Sequence, residues 1–398
     1  MLLLTNTVQS YAWGRSDGLA AIVGSEPSGG PEAELWVGTH PAAPSVVVDD
    51  PEGRTLAEVI ASDPVRWLGP DLAEAGHTAL PFLLKILAMG RPLSLQAHPS
   101  AEQAAIGYAR EEEASVDLDA RNRTYRDPNP KPEALVALFD TWALCGFREP
   151  VEAAALVRLL EVPSLAPLQS VLEGGGEEAL HDALAWLLHL HGPDIDSVVA
   201  GAVDVAARVS TGAPDDPMTW VVRLAELHPG DPTVLSPLLM ELIHLAPGQA
   251  VHLPAGNLHA YLEGAGIEVM QASDNVLRGG LTSKHVDAEE LLSIIGFEPG
   301  VPTPPVHKDH GGGLQTYDAG EETFGLALVT PGEHTVDIAP SGPALLLATD
   351  GRIDLAGEGG GLSLEGGDAA FVAPAEGTIT VSGPGRLWWA TTGDHLPV

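Results

Sequence analysis

The stretch Pro247–Asp287, PGQAVHLPAGNLHAYLEGAGIEVMQASDNVLRGGLTSKHVD, decides how the rest of the chain is read. A glycine and an alternating run come first, the run breaks at Pro254-Ala255-Gly256, and the chain resumes at His259. Glycine and proline punctuate a chain at turns, so this is a strand, a tight turn and a second strand, the way a small β-barrel presents a ligand. From Gly266 to Val276, apolar residues mix with Glu268, Gln271, Asp274 and Asn275. One edge of that strand therefore carries polar groups toward whatever His259 faces, which marks a site. Arg278 and Lys284 follow closely.

Outward from this stretch, 398 residues exceed one ordinary domain and predict two or three units, each large enough for its own core. A net charge of −36 argues against nucleic acid or an anionic membrane as partner, because both would be repelled. A single cysteine, Cys145, excludes an internal disulfide framework and a multi-cysteine zinc site. Its setting, Trp142-Ala143-Leu144-Cys145-Gly146-Phe147, predicts a buried apolar thiol. The apolar run in MLLLTNTVQS is too short for a signal peptide and no later run approaches a membrane span, so a soluble cytoplasmic protein is expected.

Before the deciding stretch, Leu2 to Val8, Glu34 to Thr39 and Ser45 to Val48 are strand-like, and Thr55 to Ser62 has helical spacing. Leu80 to His98 gives two apolar runs broken at Met89-Gly90-Arg91-Pro92, which predicts a hairpin or meander. In the second run, period two puts Ser94, Gln96 and His98 on one face. Ala101 to Asp119 has the spacing of a solvated helix. A proline-rigid loop, Tyr125 to Pro132, then delivers Lys131 and Glu133 to the start of an apolar strand. Amphipathic helices follow at Val151–Leu160, Glu177–Leu190, Ile195–Val209 and Pro217–Leu227, and after the Pro-rich linker at 299–305 the chain is strands and glycine turns. The expected organisation is mainly β: a catalytic cupin-type (jelly-roll) unit from residues 1–149 and 240–320, a helical insertion at 150–239, and a C-terminal cupin-like unit at 321–398. Pro247–Ala255 also aligns with Gly367–Ala375, with Ile379 where the first copy has His259, so the second barrel is expected to hold no metal.

Four groups compete for a metal: Gln96, His98, Glu133 and His259. A borderline cation such as zinc accepts imidazole nitrogen with carboxylate or amide oxygen, and a site completed by water or substrate is catalytic. The chain has four lysines, Lys85, Lys131, Lys284 and Lys308, and three lie in segments already singled out. With Arg278 they predict a positive pocket whose natural guest is a dianionic phosphate.

These residues resemble the type I phosphomannose isomerases, cupin-superfamily enzymes. The resemblance runs in order through QSYAWG, AELWVGTHP, LSLQAHPS, YRDPNPKPE, PAGNLHAYLEG and SDNVLRGGLTSKHVD. It implies one zinc bound by Gln96, His98, Glu133 and His259, a phosphate met by Ser94 and Lys284, and Arg278 beside the reacting carbons. Pro130 departs from the family loop, which commonly has His there. The implied reaction is the interconversion of mannose 6-phosphate and fructose 6-phosphate through a cis-enediol. Negative charge growing on the oxygens needs a preplaced cation, and the carbon-bound proton needs a base, for which Glu268, Lys131 and zinc-bound hydroxide stand as candidates. Asp274 is expected at the substrate, orienting Arg278 or capping a turn. Two alternatives are an iron-dependent cupin oxygenase using His98, His259 and Glu133, and a non-catalytic sugar-phosphate-binding cupin. The partner expected is a small sugar phosphate, met by a monomer.

Overall fold

The computed structural model describes residues 1–192 and 195–398. One strand, His259–Gln271, is the hub of a ten-stranded sheet. Along most of its length it pairs with Phe82–Met89 on one side and Glu133–Ala137 on the other. At its start the neighbours change to Leu95–Ala97 and Thr141–Phe147. The register shifts between Tyr261 and Glu263, and Gly264 adopts φ 130°. A Cβ there would stand 2.6 Å from Thr141 Cα, so glycine is required at the bend. Because the strand bends and trades partners, one sheet wraps into a cupin-type barrel.

The expected hairpin or meander between Leu80 and His98 does not form. Phe82–Met89 and Leu95–Ala97 are both strands, but each pairs with His259–Gln271 rather than with the other. The turn at Met89–Pro92 instead carries the chain past the hub strand, where the Leu93 amide bonds to the Tyr261 carbonyl at 2.8 Å. The helix expected to reach Asp119 covers Ala101–Glu113. Ser100 and Gln103 form a reciprocal cap at its start, and Ser115 at φ 55° takes the chain out of helical geometry beyond its end.

Residues 325–391 supply strands to two further sheets, of eight and four strands, that enclose a second apolar interior including Leu346, Leu355, Val381 and Trp389. Alternation sends Leu345, Leu347, Phe371 and Trp388 the other way, onto Phe82, Leu84, Ile86, Ile267 and Val269 of the first barrel. Burying each such large side chain contributes about 1.5–3 kcal/mol, so this layer welds the two β-units. Sheet pairing runs across the expected unit limit at 320/321. Val306–Gly311 and Leu314–Asp318 extend the eight-stranded sheet, and Leu2–Thr5 pairs with Ala369–Val372 within it.

Helices at Pro150–Leu159, Gly176–Leu188, Gly201–Val209 and Pro217–Leu227 share a third apolar cluster with Leu95, Leu144, Leu258, Ala260 and Leu262. Thus the outer face of the hub strand packs first against helices and then against the second barrel. Its other face is left for the site.

Candidate active site

Cross-strand register brings the expected ligands together. His259 lies opposite Gln96, and Gln96 lies opposite Arg278 on its other side. His98 follows Leu95–Ala97 directly, while Glu133 opens its strand opposite Met270 of the hub. Facing residues on paired strands have Cβ atoms about 4.5–5.5 Å apart, so short side chains suffice to meet.

His98, Glu133 and His259 are all within 2% of full burial. Each ring nitrogen Nδ1 is committed outward: His98 Nδ1 lies 2.7 Å from the Asn275 carbonyl and His259 Nδ1 lies 3.0 Å from that of Asn257. A carbonyl only accepts, so Nδ1 carries the proton and the Nε2 lone pair points inward. There, His98 Nε2 is 3.4 Å from Glu133 Oε1 and His259 Nε2 is 3.7 Å from Glu133 Oε2, with the three ligand atoms within 4.8 Å of one another. The Gln96 amide stands 3.2 Å from His259 Nε2, and a half-turn of that amide presents its oxygen. His98 Nε2 and Glu133 Oε2 are buried with no hydrogen-bond partner. Such orphaned acceptors cost roughly 1–3 kcal/mol each unless a cation meets them. Two imidazole nitrogens, a carboxylate and an amide oxygen are a donor set that fits zinc.

Protonation states agree with ligation. Burial, then the neighbouring His98, lowers His259 to about 4. Burial and then Lys131 lower His98 as well, so both rings are neutral. Burial alone would raise Glu133, but Lys131, whose Nζ is 2.5 Å away, and His98 outweigh it and keep the carboxylate well below its usual range. The buried carboxylate at the strand entrance thus has its partner.

A second cluster lies beside this one. Lys85, opposite Glu268 in the ladder, places Nζ 3.2 Å from Glu268 and 3.9 Å from Glu34, and 5.1 Å from the centre of the Trp36 ring. Trp36 Nε1 in turn donates to Glu34. The ion-pair partner of Glu268 is therefore Lys85, not Lys131 or Arg278. Burial, then repulsion from Glu133, raises Glu268 to about 7 against the pull of Lys85. Burial would lower Lys85, but Glu268 and Glu34 reverse the shift and it stays charged.

The expected positive pocket is correspondingly smaller, because Lys85 and Lys131 are neutralised by carboxylates. Among the described residues, 12 of the 19 lysines and arginines pair with a carboxylate. Of the other seven, five line two adjoining cavities of about 610 and 1040 Å³: Arg91, Arg121, Arg126, Arg278 and Lys284. Burial and then Arg278 and Arg126 lower Lys284, and burial and then Arg126 lower Arg278. Mutually repelling cations without counter-ions, in a chain with 55 acidic residues, form a place for an anion. Ser94 lines the smaller cavity with Gln96, Lys131, Glu133, Glu268 and Arg278. Asp274 lines both cavities but does not orient Arg278: its partner is His40, Nε2 to Oδ1 3.2 Å. The ring Nδ1 accepts from the Ala42 amide, so Nε2 carries the proton.

Reading the sequence by residue type missed Glu34, Trp36, His40, Arg126 and Tyr261, and counted Lys85 without placing it. Tyr261 Oη is buried in the cavity wall without a partner. A lysine inside the apolar run Phe82–Met89 is the signal that points to Lys85, since such a charge is buried only when paired.

A sequence profile of the phosphomannose isomerase type I catalytic domain matches residues 1–150. Over 393 residues the chain is 35% identical to mannose-6-phosphate isomerase of Escherichia coli (strain K12), covering 97% of this chain and 98% of that protein. A crystal structure of variant phosphomannose isomerase from Salmonella typhimurium superposes with TM-score 0.91 at 32% identity, covering 98% of this chain and 99% of that one. A zinc-bound mannose 6-phosphate isomerase superposes with TM-score 0.90 at 33% identity, with the same coverage.

Proposed function

The chain belongs to the type I phosphomannose isomerases, and from that premise we propose that it interconverts mannose 6-phosphate and fructose 6-phosphate with zinc as cofactor. Gln96, His98, Glu133 and His259 hold the metal. The observation that carries this reading is the pair of orphaned atoms, His98 Nε2 and Glu133 Oε2, at a ligand cluster whose Gln96 and Glu133 line a cavity that also collects unpaired cations. Its volume, about 610 Å³, suits a hexose phosphate. Bound there, zinc supplies Lewis-acid stabilisation of charge on the substrate oxygens.

The protein's own groups do the rest. Arg278, Lys284 and Ser94 define the far end, with Arg126 adding a third cation; Lys284 and Arg126 bind the phosphate, and Arg278, opposite Gln96, reaches from there to the reacting carbons. Glu268 is the base: with a pKa near 7 it takes the proton from C2 of the aldose and returns it to C1 of a cis-enediol, while the hydroxyl proton passes from O2 to O1 and leaves the C2 carbonyl of the ketose. Lys85 fixes its carboxylate. Lys131 keeps Glu133 ionised and presents its ammonium to the cavity. Asp274, held by His40, accepts from a sugar hydroxyl, since a carboxylate repels phosphate. Pro130 leaves Lys131 and Glu133 buried at the site. We read residues 150–239 as an insertion into the catalytic unit, and Leu227 and His228 from it line the cavity. We also read a cytoplasmic monomer, a reading in which the metal-ligand set is complete without a second chain; separately, no helix among the described residues is long and apolar enough to cross a membrane.

Neither an oxygenase nor a non-catalytic binder is favoured, since both the full-length likeness and the donor set point to the isomerase. A coupled assay with mannose 6-phosphate tests the reading. Fructose 6-phosphate should form, and Glu268→Gln should lower kcat by about 10²–10⁴-fold with KM nearly unchanged. Undiminished turnover in that variant would remove Glu268 as the base.

A further inference from the structure

We propose that Asn275 is a positioning residue that couples the phosphate end of the site to the metal ligands, an inference that rests on the site assignment above. Asn275 is 0% exposed and lines neither cavity, so it does not touch substrate. Its backbone carbonyl accepts from His98 Nδ1 and fixes that ring. Its carboxamide is spent on one loop: Oδ1 accepts from the Arg126 amide at 2.8 Å, and Nδ2 donates to the carbonyls of Asp127 at 2.7 Å and Asn129 at 2.8 Å. Both donors and the acceptor are thus satisfied. That loop carries Arg126 at one end and runs through Pro130 to Lys131 and Glu133 at the other.

Neighbouring bonds reinforce the tie. Ser273 Oγ donates to Asp127 Oδ2 at 3.1 Å and accepts from the Asn275 amide at 3.2 Å, and the Asp274 amide donates to Asp127 Oδ2 at 2.8 Å. Three residues beyond Asn275, Arg278 enters the strand Leu277–Gly280. One buried side chain therefore sits where the elements bearing His98, Glu133, Arg126 and Arg278 meet. No other side chain of similar size supplies an acceptor and two donors in one plane. Aspartate loses the donors and brings a charge beside Asp127; leucine leaves the Arg126 amide and the Asp127 carbonyl unpaired and the Asn129 carbonyl with only the Ser273 hydroxyl at 3.3 Å. The substrate is gripped at its phosphate and reacts at its other end. A loop displaced by about 1 Å at one end misplaces the other, which costs on the order of 10²-fold in rate.

The test compares Asn275→Asp, Arg126→Ala and the double variant in the full chain, after circular dichroism establishes folding. Asn275→Asp should raise KM for mannose 6-phosphate at least about ten-fold and weaken zinc retention against a chelator by about 10–100-fold. Arg126→Ala should raise KM alone and leave zinc retention unchanged, and it should add little in the Asn275→Asp background, because Arg126 is already displaced there. A residue that merely stabilised the fold would lower Tm and give additive KM effects. Additivity, or a folded Asn275→Asp with ordinary KM and zinc retention, overturns the coupling. An Arg126→Ala variant with ordinary KM would instead sink the phosphate role of Arg126, and the coupling with it. Should Asn275→Asp not fold, Ser273→Ala loosens the same loop and should move KM and zinc retention together by a few-fold; no change in either would contradict the proposal.

Discussion

The two barrels carry the same local device and differ in what it holds. In the first, the strand Ala250–Leu253 and a turn lead into a strand that begins at His259; in the second, Ala369–Val372 and a short turn lead into one that begins at Ile379. His259 meets Gln96, His98 and Glu133, the first and last of which line a cavity, whereas Ile379, 0% exposed, is part of a sealed apolar interior. The backbone supplies the position and the side chains decide the chemistry. A site further requires neighbours, here a proline loop and two strands that the second barrel does not place around its equivalent residue.

The largest expected effect comes from making the first barrel resemble the second. His259→Ile should abolish zinc retention and reduce turnover by more than the ~10–100-fold that loss of an outer-shell partner costs, read by metal analysis and the coupled assay. Retained zinc with full activity would remove His259 from the ligand set. Next is the pH profile. Glu268 must be ionised to act, and its pKa is raised from the ordinary carboxylate value toward about 7, so kcat should rise with pH through a limb between those values. Glu268→Gln should erase that limb, and a limb unchanged in that variant would belong to another group. Lys284→Ala should raise KM roughly ten-fold or more with a smaller change in kcat, as expected for a lost charge-assisted bond of about 1.5–3 kcal/mol. An unchanged KM would contradict its phosphate role. The smallest effect is the reverse exchange. Ile379→His should gain no zinc and should destabilise the chain by about 1–3 kcal/mol in denaturant titration, because a polar ring is buried without a partner. Bound zinc at that position would mean the barrels differ by less than the comparison holds.

Much of this was legible in the residues. The helix Pro217–Leu227 announces itself by Asp216, proline at its first turn and apolar spacing. The four proposed metal ligands stood out because their types suit one cation. Glu268 was brought to the site by the polar run it belongs to, although strict counting by twos from His259 reaches Tyr261, Glu263, Ala265 and Ile267 and would put it on the other face. The register shift after Tyr261 and the bend at Gly264 reverse the parity, so Tyr261, Glu268 and Met270 all line the cavity. Partners across strands were hidden for a similar reason. Lys85 with Glu268, and His40 with Asp274, are 183 and 234 residues apart, and no local pattern encodes such pairs. Arg126 escaped notice because an exposed arginine after tyrosine reads as solvated surface until its neighbours are known.

The most direct test is a titration of zinc into chelator-stripped protein, with bound metal and the rate of fructose 6-phosphate formation followed in the same samples. The rate should rise in proportion to bound zinc and level off at one ion per chain, and His259→Ile should bind none. A rate indifferent to zinc, or one that saturates only with a second ion, would contradict a single zinc site confined to the first barrel.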